Sequence, residues 1–148
     1  MKKIAIIGIL AAIIVACVLL LRYHGKITTE KDEAFRERLP GIWLQEEDNL
    51  PRRVGFAQSI TRTNTVAGDG SFVELSWFRH PDRTNTYRRT GTWLVKNGDL
   101  IETVKSSTNP TEVTPHSETG QIVSADALGL AVRWQHSTNE MIWQRVAK

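Results

Sequence analysis

Hydrophobic residues are distributed differently in the two parts of this chain. Ile4 to Leu21 is an uninterrupted run of 18 residues without a charge. After Pro40, short β-branched and aromatic runs alternate with turn residues about every ten positions, and no stretch keeps the 3.6-residue period of a helix. The first pattern predicts one apolar helix, and the second predicts a separate all-β domain.

The apolar run has the length and flanking charges of a membrane anchor. Lys2 and Lys3 precede it and Arg22 follows it, and a helix of this length extends about 27 Å, close to the ~30 Å hydrocarbon thickness of a bilayer. We expect a single-pass anchor in a bacterial inner membrane, with the C-terminal domain periplasmic or extracellular. Two alternatives stay open: a cleaved secretory signal, and a lipoprotein signal in which Cys17 is lipidated.

A charged segment joins this run to the β domain. Thr29 is placed to cap a short helix, with Asp32 three residues later, and Ala34, Phe35 and Leu39 would form an apolar stripe that leans on the domain. The predicted organisation is an anchor or signal segment at 1–23, a juxtamembrane short helix or linker at 24–39, and a β domain at 40–148.

Turn signals divide the β domain into eight strands. Gly68-Asp69-Gly70 and Asn97-Gly98 are typical of hairpins, and longer polar loops separate other runs. The predicted strands are about 41–46, 56–67, 71–79, 85–96, 99–106, 118–125, 129–137 and 140–147. Every connection is short enough for antiparallel neighbours. Closure would remove the exposed edges, so we predict an eight-stranded antiparallel up-and-down barrel.

Alternation along the strands indicates one apolar face each. Val73, Leu75 and Trp77 share a face, and Trp93 and Val95 share another. The strand at 56–67 is an exception because it is rich in Thr, Arg and Asn. It is either an exposed wall or a polar part of the barrel interior.

Two groups of residues resemble a known family. Gly41 and Trp43, in a Gly-x-Trp motif after a short helix, resemble the opening of lipocalins and of small bacterial lipocalin-like domains. Gly91-Thr92-Trp93 followed by Asn97-Gly98 is similar to the repeated core of those bacterial domains. The resemblance covers about residues 35–147. It implies a barrel floor formed by Gly41, Trp43 and Arg145, with the guanidinium stacked on the indole. The chain lacks the helix and disulfide that usually follow the lipocalin barrel, which leaves the cavity size open.

Composition narrows the range of functions. The whole chain has 19 Lys and Arg against 16 Asp and Glu, but from Pro40 onward there are 12 of each, so nucleic-acid binding is not expected. The single cysteine excludes an internal disulfide. The four histidines lack metal-ligand spacing, and no nucleophile elbow is present. We therefore expect no catalytic activity, no metal and no cofactor.

One strand carries the candidate ligand-binding residues. Tyr87, Arg89 and Trp93 fall on the same side of it, and Glu102 lies on the next strand. If this side is the interior, Arg89 needs a carboxylate such as Glu74 or Glu102, or the head group of an acidic ligand such as a fatty acid. Alternatively, a one-residue bulge turns Arg89 to solvent.

An eight-stranded barrel has room for its own side chains or for one small ligand. The sequence therefore favours a monomeric, membrane-tethered binding module for a small hydrophobic or acidic lipid-like ligand. The alternative is a filled barrel that binds another envelope protein through its outer surface.

Overall fold

The computed structural model of the chain describes residues 2–48 and 57–146. One long helix, α1, runs from Lys2 to Arg38 and is followed by a β domain. Side chains within α1 are described from Ile13 onward, so the predicted anchor at Ile4 to Leu21 lies partly outside the described side chains. Within the part of the chain that is described, no helix combines the length and the apolar character needed to cross a membrane.

The β domain is a closed barrel of eight antiparallel strands in sequence order. Strand β1 pairs with β8 through Trp43 and Arg145, which closes the sheet. The predicted eight-stranded up-and-down barrel is therefore confirmed. The strands are β1 (Gly41–Glu47), β2 (Ser59–Val66), β3 (Ser71–Arg79), β4 (Thr84–Lys96), β5 (Asp99–Ser107), β6 (His116–Ala125), β7 (Gly129–Trp134) and β8 (Glu140–Arg145).

Strand boundaries follow the turn chemistry closely. The Asn97-Gly98 turn between β4 and β5 has positive φ angles of 57° and 82°, which Asn and Gly adopt more readily than other residues. Strand β7 ends at Trp134, earlier than expected, because residues 135–139 form the turn before β8. The predicted start of β2 at residue 56 and the predicted end of β8 at residue 147 lie outside the described residues.

Two predictions about strand faces are resolved by the barrel. On β3, Phe72 and Glu74 are buried inside, so the face that Val73, Leu75 and Trp77 share is the outer face of the barrel. The alternation was correct, but a strand with large apolar residues on both faces does not reveal which face is inside. The polar strand β2 lines the interior, because Asn64 is buried there.

The end of α1 packs against one end of the barrel. Phe35 and Leu39 are part of the hydrophobic core, as the sequence predicted. Asp32, 7% exposed, accepts hydrogen bonds of 2.7 Å each from the backbone N–H groups of Asn97 and Gly98. This end of the barrel is therefore closed by the helix.

A separate short helix capped by Thr29 does not form. The backbone is helical without a break through this position, and the Thr29 hydroxyl donates to the carbonyl of Gly25 one turn earlier. Asp32 bonds the hairpin of the barrel instead of completing a capping box. The helix begins in the preceding apolar run and continues through Thr29. The backbone N–H groups at this point therefore have carbonyl partners one turn earlier and need no capping side chain.

Candidate functional site

The barrel floor is built from the residues of the Gly-x-Trp motif and the last strand. The Arg145 guanidinium carbon lies 4.2 Å from the centroid of the Trp43 ring, and its nitrogens donate to the carbonyls of Pro40 and Arg38. The Trp43 indole N–H donates to the carbonyl of Leu39 at 2.7 Å. A side chain at Gly41 would collide with Arg145, and the φ of Gly41 is 154°. The motif therefore anchors the floor.

Above the floor, the lower half of the interior is filled. Only about 20 Å³ of free space remains there. Trp93 belongs to this packed layer, and its indole N–H donates to the carbonyl of Ala67 at 3.0 Å. This half resembles an ordinary protein core, and the space that remains is smaller than a ligand needs.

The upper half of the interior is open and lined by charged and aromatic side chains. We call the space of about 280 Å³ in this half the upper cavity. It is lined by Arg62, Glu74, Arg89, Glu102, Glu118, Thr119, Trp134, Gln135, His136, Ser137, Met141 and Trp143.

A second space lies next to the loop between β5 and β6. It has about 320 Å³, and we call it the loop cavity. Tyr87, Phe78 and Glu112 line it, together with four residues that also line the upper cavity. The Phe78 and Tyr87 rings meet edge to face with their centroids 5.5 Å apart. The two cavities therefore meet around a shared set of charged residues.

Arg89 lies at the centre of this shared set. Its Nη2 is 2.8 Å from Glu112 Oε1 and 2.7 Å from Glu118 Oε1, and its Nη1 is 3.7 Å from Glu74 Oε1. Its side chain is 17% exposed. Three carboxylates, from β3, β6 and the β5–β6 loop, thus compensate one buried guanidinium. A charge can be buried in a protein only when opposite charges and hydrogen bonds compensate it in this way.

The ion cluster shifts the pKa values of its members. Burial works to lower the pKa of Arg89, but the charges of Glu74, Glu118 and Glu112 raise it above its ordinary value. Burial works to raise the pKa of Glu118, yet Arg89 and His116 hold it below the usual range. Arg89 and Glu118 are therefore both charged at neutral pH.

Glu102 differs from the other carboxylates of the interior. It is 5% exposed, and no cationic group of the described residues lies within 4.0 Å of it. Its described hydrogen bond comes from Asn64 Nδ2 at 3.4 Å, which is long for such a bond. Burial, together with the charge of Glu74, raises the pKa of Glu102 from 4.5 to about 8. The group is therefore mostly protonated at neutral pH.

One group of residues has the composition of a metal site. The ligand atoms of Glu112, His116 and Glu118 lie within 4.8 Å of one another. However, Arg89 Nη2 is within 3.3 Å of His116 Nε2 and closer still to both carboxylates. The guanidinium therefore already supplies the positive charge at this position.

The structure brings the four predicted ligand-binding residues to the interior but not to one space. Arg89 and Glu102 line the upper cavity, Tyr87 lines the loop cavity, and Trp93 lies in the packed lower half. The register irregularity between β4 and β5 opposes Thr90 with Ser106 and Gly91 with Val104. The extra residue is on β5, so the alternation of β4 is kept and Arg89 faces inward.

Cys17, the candidate lipidation site, is exposed on α1.

Several lining residues were missed by sequence reasoning. Glu112 comes from the β5–β6 loop, which no alternation pattern describes. Glu118 and His116 lie two positions apart on β6 and face inward with Gly120, so the two-residue period could have placed them together. Trp134 ends β7 on its inward face, and only its contribution to the cavity wall was overlooked.

Among known proteins, solved structures are similar to this chain, whereas no family model and no curated sequence is. The chain is similar to the crystal structure of a lipocalin-like protein from Bacteroides uniformis, with a TM-score of 0.45 and 14% sequence identity over 74% of this chain and 99% of that one. The fold assignment rests on the strand pairing of the chain itself.

Proposed function

We propose that this protein is a non-catalytic binding module that holds one small molecule in the upper half of its barrel. The observation that carries the proposal is the contrast between the two halves of the interior. The lower half is packed to about 20 Å³ of free space, whereas the upper cavity keeps about 280 Å³. Ligand sites in proteins combine such a space with aromatic walls and a few polar groups. In the upper cavity, Trp134 and Trp143 supply the aromatic walls and Arg89 supplies a polar group.

The chemistry of the cavity argues against the fatty-acid ligand that the sequence suggested. Arg89 already has three carboxylate partners, so an acidic head group would have to displace one of them. Because the neighbouring Glu74 would also repel it, we propose a polar rather than an acidic ligand.

The proposed binding is tested by blocking the cavity. The full chain, purified in mild detergent, is analysed by native mass spectrometry for co-purified small molecules. Met141→Trp fills the upper cavity from β8, and the matched control Ile142→Trp places the same ring on the outer face, where Ile142 is 63% exposed. We expect a bound mass in the wild type and the control and its loss in Met141→Trp. Absence of any bound mass in all three, with no binding of added ligands, contradicts the proposal.

We also propose that the N-terminal helix tethers the barrel to the exported side of a bacterial membrane. The support is the uncharged run Ile4 to Leu21 and the exposure of its described apolar side chains, such as Leu19 and Leu21 at 60% and 73%. The protein should then stay in the membrane fraction after high-salt washing, because screening does not displace an apolar helix. Intact mass distinguishes an uncleaved anchor from a mature chain beginning with acylated Cys17, and Cys17→Ser would abolish such processing.

One observation favours the alternative of a barrel that binds an envelope protein. Val73, Leu75 and Trp77 form a row of partly buried apolar side chains on the outer face of β3, and such rows are often found at protein interfaces. Trp77→Ser would weaken such a complex in a pull-down from cross-linked membranes while leaving small-molecule binding unchanged. The two functions are therefore separable by experiment.

A further inference from the structure

The upper half of the barrel carries more negative than positive groups. The described interior contains four carboxyl groups, Glu74, Glu102, Glu112 and Glu118, and two guanidinium groups, Arg62 and Arg89. These side chains come from five neighbouring strands and one loop, so the excess is a property of the whole cavity and not of one exposed acidic cluster. A low-dielectric wall strengthens the effect of such an imbalance on a bound ligand.

The ion cluster around Arg89 does not include the buried carboxyl group of Glu102. Arg89 contacts Glu74, Glu112 and Glu118, and Glu102 is absent from its ion pairs. Arg62 donates to Gln45 Oε1 at 2.6 Å and lies 5.9 Å from the centre of the Phe78 ring. Within the described residues, no guanidinium is therefore paired with Glu102.

Two polar groups next to the cavity lack good partners. Glu102 is only 5% exposed and lines the upper cavity. Its hydrogen bond from Asn64 is the long one of 3.4 Å described above. Asn64, equally buried, has no hydrogen-bond partner at Oδ1. Buried acceptors without donors cost free energy. Of the two residues, Glu102 lines the upper cavity, so a ligand there with an N–H group would supply the donor that Glu102 lacks.

We propose that the ligand is a small organic cation, a primary ammonium on an aromatic or apolar body, whose ammonium group binds the Glu102 carboxylate. This inference rests on the proposed binding function. The ammonium has three N–H donors, and the two oxygens of an ionised Glu102 are acceptors on the wall of the upper cavity. Trp134, Trp143 and Met141, on the neighbouring wall of the cavity, offer the surfaces against which the body of the ligand packs.

A proton accompanies this binding. In the empty barrel, burial and the charge of Glu74 keep Glu102 protonated up to about pH 8, with Glu118 adding to this effect and Arg89 and Asn64 opposing it. A cation binds the ionised form, so binding releases the proton, and the affinity rises with pH. Going from pH 6 to pH 8 increases the ionised fraction about 50-fold, which sets the expected gain in affinity.

Three ligands that differ only in their polar group test the inference. Phenethylamine is cationic, 2-phenylethanol is neutral and phenylacetate is anionic, and all three carry the same ring. Binding to the full chain in mild detergent is measured by isothermal titration calorimetry at pH 6, 7 and 8. We expect phenethylamine to bind at least tenfold more tightly than the other two at pH 8. Its heat of binding should depend on the ionisation enthalpy of the buffer, because a proton is released.

Two variants separate the role of Glu102 from a general charge effect. Glu102→Gln keeps the shape and removes the negative charge, so the preference for phenethylamine and its pH dependence should disappear while 2-phenylethanol binding stays the same. The matched control Glu46→Gln makes the same change at an exposed position on β1, and it should behave as the wild type.

The outcomes distinguish this inference from the proposed function. If 2-phenylethanol or phenylacetate binds more tightly than phenethylamine, the barrel is a binding module but its ligand is not a cation; a phenylacetate preference would point to Arg62 as the recognising group. If phenethylamine binds without pH dependence, Glu102 is not its partner. If none of the three binds and no molecule co-purifies, the proposed function itself fails. Because these comparisons are made on the wild type, they do not depend on the folding of a variant.

Discussion

Glu102 gives the sharpest test of the structure because it links a single side chain to the stability of the whole barrel. Its pKa is raised from 4.5 to about 8 in the folded chain by burial and by the nearby Glu74. Between these two values the folded chain holds a proton that the unfolded chain has lost. Stability therefore falls as the pH rises through this window and levels off above about pH 8.

The size of this effect follows from the pKa shift. Each pKa unit corresponds to about 1.4 kcal/mol, so the full shift corresponds to an order of 5 kcal/mol. Glu102→Gln is neutral at every pH and does not experience this loss. Between pH 5 and pH 8, we expect the free energy of unfolding of the variant to rise relative to the wild type by roughly 4 kcal/mol.

Other titrating groups do not hide this difference. The pKa values of Glu118, Asp69 and Asp126 are lowered from values of 4.5 or less, so these groups titrate below the window. The histidines are common to both proteins and cancel in the comparison. The assay is urea unfolding followed by tryptophan fluorescence at several pH values, with Glu46→Gln as control. Parallel pH profiles of the wild type and Glu102→Gln would refute the reasoning.

The remaining predictions concern the floor, the helix contact and the fold. Trp43→Ala should lower the free energy of unfolding by about 3–5 kcal/mol in urea titrations, since a buried indole and its hydrogen bond are lost; an effect below about 1 kcal/mol would contradict the role of Trp43 in the floor. Asp32→Ala should cost about 1–3 kcal/mol because two hairpin N–H groups lose their acceptor, whereas Glu33→Ala, at an exposed position, should cost almost nothing. Removing residues 1–28 should leave a soluble, monomeric domain with a β-type far-UV circular dichroism spectrum, and a helical spectrum would overturn the barrel.

The parts of the fold that were predictable are those fixed by local chemistry. The turn residues Asn97 and Gly98 require positive φ angles, and such turns set the number and order of the strands. Antiparallel neighbours and the need to cover the sheet edges then leave a closed barrel as the simplest arrangement. The eight strands and their order were therefore predictable.

The site was less predictable because its properties depend on contacts between distant parts of the chain. Arg89 could be placed on an inward face, but its compensation by Glu112 depends on how a loop folds over the barrel. The raised pKa of Glu102 depends on its burial and on side chains from four other strands. On β3, apolar side chains occupy both faces, so periodicity alone could not distinguish the inside from the outside.

The junction between helix and barrel has a mechanical consequence. Asp32 and Arg36 fasten α1 to the hairpin of β4 and β5, and Arg38 fastens it to β6, with Arg36 Nη2 only 2.6 Å from the Val95 carbonyl oxygen. These contacts oppose a rotation of the barrel about the end of α1. If residues 4–21 anchored the chain, the helix from Arg22 to Arg38, which rises about 25 Å, would act as a spacer between the anchor and the barrel. A partner anchored in the same membrane would then meet the barrel in a restricted set of orientations, so fewer of their encounters would be wrongly oriented.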